Sequence, residues 1–150
     1  MSDDIPQLRA PEQMPPVLTQ ADLYDHWRAL MGPLGFSDRS LWLMLLRPDG
    51  RCDGLLTKIE QVPARPDRLL LDRLMGMLRD LLQDQPGVRL AFLLSRPGRD
   101  AVTPNDRAWG RDLHAAARAA QLPCEPVHVA DDAQIHVLAM DDLTDPAAAA

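Results

Sequence analysis

The chain has 150 residues, of which 46% are apolar, and a formal net charge of −6. This length and apolar content suffice for one buried core, so a single domain is expected. The acidic balance argues against nucleic acid as a partner, because neutralising phosphates requires a basic face. The longest apolar run, residues 41–46, is far too short to span a membrane, and the two widely spaced cysteines favour a reduced, cytoplasmic protein.

The two ends of the chain differ in composition from its middle. Residues 1–17 hold four prolines among polar residues and are predicted to be a disordered leader. Residues 141–150 end in four alanines and are predicted to be a frayed tail. The folded domain is therefore expected over residues 18–140.

The first half of the domain predicts a helix and then a β-hairpin. Thr19 is the expected N-cap of a helix over residues 20–31. Strands are expected over residues 41–47 and 52–59, joined by a Pro-Asp-Gly turn. The first strand is apolar throughout, which predicts a central place in the sheet. The second has mixed apolar and polar faces, and an exposed strand edge of this kind favours a homodimer.

A second helix is predicted over residues 68–84, with Asp67 as its N-cap. Its apolar positions recur at helical spacing and predict one buried stripe. That stripe comprises Leu70, Leu71, Leu74, Met77, Leu78, Leu81 and Leu82.

The second half of the domain predicts a buried strand over residues 88–94 and a helix over residues 105–121. Two short β segments follow, around residues 127–129 and 135–139, separated by the turn at Asp131 and Asp132. The order α-β-β-α-β-α-β-β predicts an α/β fold, a single three-layer α/β/α domain with a mixed β-sheet. In such sheets ligands bind beyond the carboxyl ends of the strands, here in the loop after residue 94.

From residue 55 to about residue 139, the hairpin, helix, strand, Ser-Arg-Pro-Gly loop, Thr-Pro-x-Asp helix start and final β-hairpin resemble the RadC-like branch of the JAB/MPN (JAMM) superfamily. The resemblance implies a JAB and cytidine-deaminase-like fold. In that family a His-x-His at the strand end and a later Asp bind zinc, a Ser three residues before the Asp assists, and an upstream Glu activates water. By this resemblance Asp106 matches the aspartate and Thr103 replaces the serine. Leu93 and Ser95 stand at the histidine positions, and only Asp38 is near that of the glutamate.

Because Leu93 has no donor atom and Ser95 is a poor ligand at neutral pH, the resemblance implies a lost metal site and no cofactor. The implied function is a non-catalytic binding or scaffolding module. The resemblance also implies that Ser95 and Asp106 face one vestigial crevice, together with Leu93, Arg96 and Thr103. Helix capping alone equally explains Thr103 and Asp106, and on that interpretation Asp106→Ala costs about 1 kcal/mol.

The alternative function is a metal-dependent hydrolase of the peptidase or isopeptidase type with a rebuilt zinc site. Its candidate ligands are Asp106, Cys124, His128 and His136. Cysteine is also a common small core residue, and histidines in strands often face solvent.

Two further sets of residues have both a structural and a functional interpretation. Ser95, Asp106 and His114 have the residue types of a nucleophilic triad, but the Gly-x-Ser-x-Gly elbow is absent. Arg96 and Arg99, with Arg107 and Arg111 one helical turn apart nearby, form a local basic cluster. This cluster is either a solvated face or a contact for an anion or acidic peptide. The expected partner is therefore an unknown protein or a small anion.

Overall fold

The computed structural model describes residues 15–139, which contain three helices and five strands. The helices are α1 (Gln20–Met31), α2 (Arg68–Leu81) and α3 (Pro104–Ala119). The strands are β1 (Ser40–Leu46), β2 (Cys52–Ile59), β3 (Arg89–Ser95), β4 (His128–Ala130) and β5 (Ile135–Val137). The predicted tail and residues 1–14 of the predicted leader lie outside the described residues. Within residues 15–139, no helix is both long and apolar enough to cross a membrane.

The five strands form one mixed sheet in the order β2-β1-β3-β4-β5. β1 pairs antiparallel with both β2 and β3, β3 pairs parallel with β4, and β4 pairs antiparallel with β5. The apolar strand β1 is therefore internal, as predicted, whereas β2 lies at an edge. On β2, the Lys58 ammonium lies 4.8 Å from the centre of the Trp42 ring.

Helices cover both faces of this sheet, and strand alternation gives each face its own core. On the side of α2 and α3, the core contains Leu41, Leu43, Leu45, Leu90, Phe92 and Leu94, packed against Leu78, Trp109 and Leu113. On the side of α1, it contains Met44, Leu46, Ala91 and Leu93, packed against Leu23 and Trp27. The predicted single α/β domain with helices on both faces of a mixed sheet is confirmed.

Side-chain caps fix where the three helices begin. Thr19 and Asp22 form a capping box on α1, and Thr103 and Asp106 form one on α3. Asp67 accepts hydrogen bonds from the second and third amides of α2. The three predicted N-caps are confirmed, and each satisfies amides that have no partner within the helix.

The buried stripe of α2 differs from the predicted one. It consists of Leu71, Leu74, Met75 and Leu78. Met77 and Leu81 are 59% and 52% exposed. At 100° per residue these two positions lie beyond one side of the stripe, so their inclusion was wrong. The helix also ends at Leu81, three residues earlier than predicted.

The end of the predicted leader belongs to the packed domain. Val17 is 1% exposed, and its amide donates to the carbonyl of Gly50 over 2.7 Å. Gly50 has φ +87°, and a Cβ built there would lie 2.6 Å from the Val17 carbonyl oxygen. The chain before α1 is therefore fitted against a turn that only glycine allows, and placing the leader boundary after Val17 was wrong.

Candidate functional site

Arg96, which directly follows β3, forms a buried ion pair with Asp106 in the first turn of α3. Arg96 Nε donates to Asp106 Oδ1 over 2.9 Å, and Arg96 Nη2 donates to Oδ2 over 2.6 Å. The two side chains are 3% and 0% exposed. This two-pronged geometry, in which a planar guanidinium meets a carboxylate edge to edge, is the strong form of the interaction.

Arg96 and Asp106 also form hydrogen bonds with backbone groups. Arg96 donates to the carbonyls of Pro97 and Ala101, and the Thr103 amide donates to Asp106 Oδ2 over 2.9 Å. The hydrogen bond with Asp106 raises the pKa of Arg96 although burial opposes the shift. Asp106 is therefore both a helix cap and the counter-ion of Arg96, and its carboxylate is enclosed by these contacts.

Leu93 and Ser95 lie on the opposite face of the sheet from this pair. Ser95 continues the alternation of Ala91 and Leu93 toward α1, and its hydroxyl accepts a hydrogen bond from Trp42 Nε1 over 2.9 Å. Asp106 instead lies on the buried face of α3, which packs on the other side.

The predicted crevice is therefore divided into two parts. The structure brings together Arg96, Thr103 and Asp106, but it separates them from Leu93 and Ser95. Because side chains alternate along β3, residues 93 and 95 share one face while residue 96 turns to the other. The expectation that Ser95 and Asp106 face one crevice was wrong, and this counts against the family-like site on which it was based.

Arg39, which is not among the site residues predicted from the sequence, is a third member of the charged cluster. It precedes β1, and its charge interacts with those of Asp106 and Arg96. Burial lowers the pKa of Arg39, Asp106 opposes that shift and Arg96 adds to it. Its Nε atom is buried and has no hydrogen-bond partner among residues 15–139. Its position directly before the central strand could have identified Arg39 as a candidate site residue from the sequence alone.

Asp131 and Asp132 hold together the loops at the same end of the sheet. Asp131 accepts from the amides of Ala133 and Gln134 and contacts His136 Nε2 over 3.0 Å. Asp132 accepts from the amides of Phe36 and Gly98 over 2.9 and 2.8 Å. Both carboxylates thus satisfy backbone amides, which supports their predicted place in a turn.

The candidate ligands of the rebuilt zinc site are dispersed. The backbone of Cys124 forms an isolated β-bridge with Leu90 at the start of β3. Asp106 lies beyond the end of β3, roughly 16 Å away along the extended strand. His128 pairs with Val137 while His136 pairs with Val129, so the two imidazoles leave opposite faces of the β4–β5 ribbon. Across residues 15–139, no three His, Cys, Asp or Glu side chains are grouped so that they could hold a metal ion.

His114 is likewise remote from the other members of the triad. It lines a hollow of about 350 Å³ at the C-terminal end of α3, together with Cys124. Burial raises the pKa of the Cys124 thiol to about 12, so the thiol stays protonated and is a poor nucleophile at neutral pH. Ser95, Asp106 and His114 therefore occupy three separate places.

No protein-family model, no curated protein and no solved structure gave a significant match to this chain.

Proposed function

We propose that this protein is a non-catalytic binding domain whose partner presents a carboxylate to Arg39 at the carboxyl end of β3. The observation that carries the proposal is the buried Arg39 Nε atom, which has no hydrogen-bond partner among the described residues. An unpaired buried guanidinium nitrogen is costly, and because Arg39 as a whole is only half-buried, a carboxylate of the partner can approach its guanidinium and offset that cost.

The charges around Arg39 favour an anionic partner. The three central groups, Arg39, Arg96 and Asp106, carry two positive charges and one negative charge. The carboxylate of Asp106 is already committed to Arg96 through Nε and Nη2. The charges that act on Arg39 are those of Asp106 and Arg96. Because Asp106 is already paired with Arg96, whose charge is also balanced by Asp100 and Asp131, the charge of Arg39 can be balanced by an incoming carboxylate.

The state of the neighbouring polar groups favours binding over catalysis. A general acid, base or nucleophile needs a side chain that can reach a reacting atom. Asp106 is fully buried and held by Arg96, and Ser95 is 1% exposed and bonded to Trp42. Both are occupied in holding the fold, which leaves Arg39 to meet a partner.

The proposed partner is an acidic protein segment, and the proposed location of the protein is the cytoplasm. The resemblance to the JAB/MPN superfamily stays a prediction, and the proposal does not depend on it. The same applies to the homodimer predicted from the edge strand β2.

The test is a titration of the full chain with a glutamate-rich peptide and with its glutamine counterpart, followed by amide chemical shifts. Saturable shifts are expected at residues 39, 96 and 101–106 with the glutamate peptide alone. Arg39→Gln should weaken that binding by about tenfold, equivalent to 1.4 kcal/mol for a lost charge-assisted hydrogen bond.

Arg107→Gln is the matched control, because Arg107 is an exposed residue of the first turn of α3 and its loss changes the net charge equally. It should alter the affinity by less than about twofold. Equal binding by wild type and Arg39→Gln, or equal binding of the two peptides, would overturn the proposal.

A further inference from the structure

A groove lies on the α1 side of the sheet, next to the edge formed by β4 and β5. Its volume is about 400 Å³, within the range of small-molecule sites. The residues that form its walls are Gln20, Ala21 and Tyr24 of α1 with Pro126, His128, Val137 and Ala139. Tyr24 and Val137 are 38% and 49% exposed, so the groove presents apolar surface to solvent.

His128 borders this groove as a buried polar side chain. The residue is 1% exposed, and its Nδ1 atom is buried without a hydrogen-bond partner among the described residues. Burial lowers the pKa of His128 to about 4, against smaller opposing effects of the Pro126 carbonyl and Glu125. At neutral pH the ring is therefore uncharged, and an uncharged imidazole has one nitrogen that accepts a hydrogen bond.

The polar groups at the rim are already paired with each other. Gln20 Nε2 donates to Glu125 Oε1 over 2.9 Å, and Arg89 Nη1 lies 2.7 Å from Glu125 Oε2. Through Gln20 the groove is connected to a charge pair in which Arg89 and Glu125 neutralise each other. The groove is thus suited to an uncharged occupant with one polar contact.

We propose that the groove binds a small, mostly apolar molecule whose single hydroxyl group donates a hydrogen bond to Nδ1 of His128, after a small shift of the buried ring opens this atom to the groove. The apolar body would cover Tyr24 and Val137, and the hydroxyl would satisfy the nitrogen that the fold leaves unpaired. Both contributions are favourable, since an unsatisfied buried polar atom costs stability and apolar contact removes surface from water. This site is separate from the Arg39 cluster and independent of the function proposed for it.

The test compares two probes of nearly equal shape, p-cresol and p-xylene, which differ by a hydroxyl in place of a methyl group. Each is titrated into the full chain, and chemical shifts of Tyr24, His128 and Val137 are followed. The wild type should bind p-cresol at least about fivefold more tightly than p-xylene, the effect of one net hydrogen bond.

Two variants separate the polar contact from the apolar one. His128→Phe keeps an aromatic ring but no acceptor, so the preference for p-cresol should vanish. Ala21→Phe fills the groove and should weaken the binding of both probes by about tenfold or more, because the larger side chain occupies the space in which they make apolar contact. Arg39→Gln should leave both affinities unchanged, which distinguishes this site from the charged cluster. Absence of saturable shifts with p-cresol in the wild type, or a preference that persists in His128→Phe, would overturn the proposal.

Discussion

The Arg96–Asp106 pair and the His128 groove both bury titratable side chains, but they satisfy them differently. Arg96 and Asp106 meet through two guanidinium nitrogens and have further backbone partners. His128 is equally buried, yet its Nδ1 atom lacks a partner among the described residues. The difference indicates that the pair is part of the architecture, whereas the imidazole reduces stability unless something binds to it.

Breaking the pair should give the largest effect. Asp106→Ala should lower the free energy of unfolding by about 3–5 kcal/mol, because it leaves the Arg96 charge buried without its counter-ion. This is well above the roughly 1 kcal/mol of a lost cap that the sequence alone predicts. Urea denaturation followed by circular dichroism measures the difference.

The control for that experiment is Asp112→Ala on the same helix. Asp112 lies 3.9 Å from Arg111 in a partly exposed pair, so its loss should cost less than about 1 kcal/mol. A double variant, Arg96→Met with Asp106→Leu, should recover part of the stability by replacing the pair with apolar groups. A loss of only 1 kcal/mol in Asp106→Ala would contradict the structural role of the pair.

The His128 side of the comparison predicts a dependence on pH. The pKa of His128 in the folded state, about 4, lies below its ordinary value of 6.5. Between these values the unfolded chain binds more protons, so the free energy of unfolding falls as the pH is lowered from 6.5 to 4. At pH 5 the loss from His128 should be about 2 kcal/mol, measured by denaturation at a series of pH values.

His128→Phe should flatten most of that slope and raise stability at pH 5 relative to the wild type. A smaller slope should remain, because burial also lowers the pKa of His114. The carboxyl groups of Asp22, Asp131 and Asp132, whose pKa values are lowered, start to contribute only below about pH 5, where the unfolded chain begins to protonate them. An unchanged slope in His128→Phe would show that the ring is hydrated or bonded in solution.

The smallest expected effect concerns zinc. Leu93→His with Ser95→His would place two imidazoles on the α1 face, whereas Asp106 lies on the other face beside Arg96. The double variant should therefore bind no stoichiometric zinc, as measured by metal analysis after purification without chelators. Ser95→His alone serves as the reference for metal carried nonspecifically. One zinc per chain, lost on Asp106→Ala, would restore the family-like site.

Much of the fold could be predicted because its signals are local. Thr19, Asp67 and Thr103 each begin a helix through contacts within three residues, and the apolar sequence of β1 predicts its internal place. The errors arose where a local pattern had two solutions. Met77 and Leu81 fit a helical spacing but lie off the buried stripe, and Val17 is held by a residue 33 positions away.

The candidate site was less predictable because it depends on contacts between distant segments. The sequence assigns residue 96 to a loop and residue 106 to a helix. Their pairing, however, depends on the path of the backbone through residue 101, where φ is +54°. Arg39 reaches the same cluster from the position directly before β1. Side chains alternate between the two faces of a sheet, so the face on which Ser95 lies depends on the register of β3. A shift of one residue in the strand would have reversed it.

The contact between Lys58 and Trp42 gives the molecule a built-in chemical label. Lys58 is the only lysine in the sequence, so its ε-amine is the one side-chain target for amine-specific reagents. It lies on the edge strand, and an indole ring next to it can quench a fluorophore attached there. Labelling at this position would therefore report directly on whether a second chain covers the open edge of the sheet.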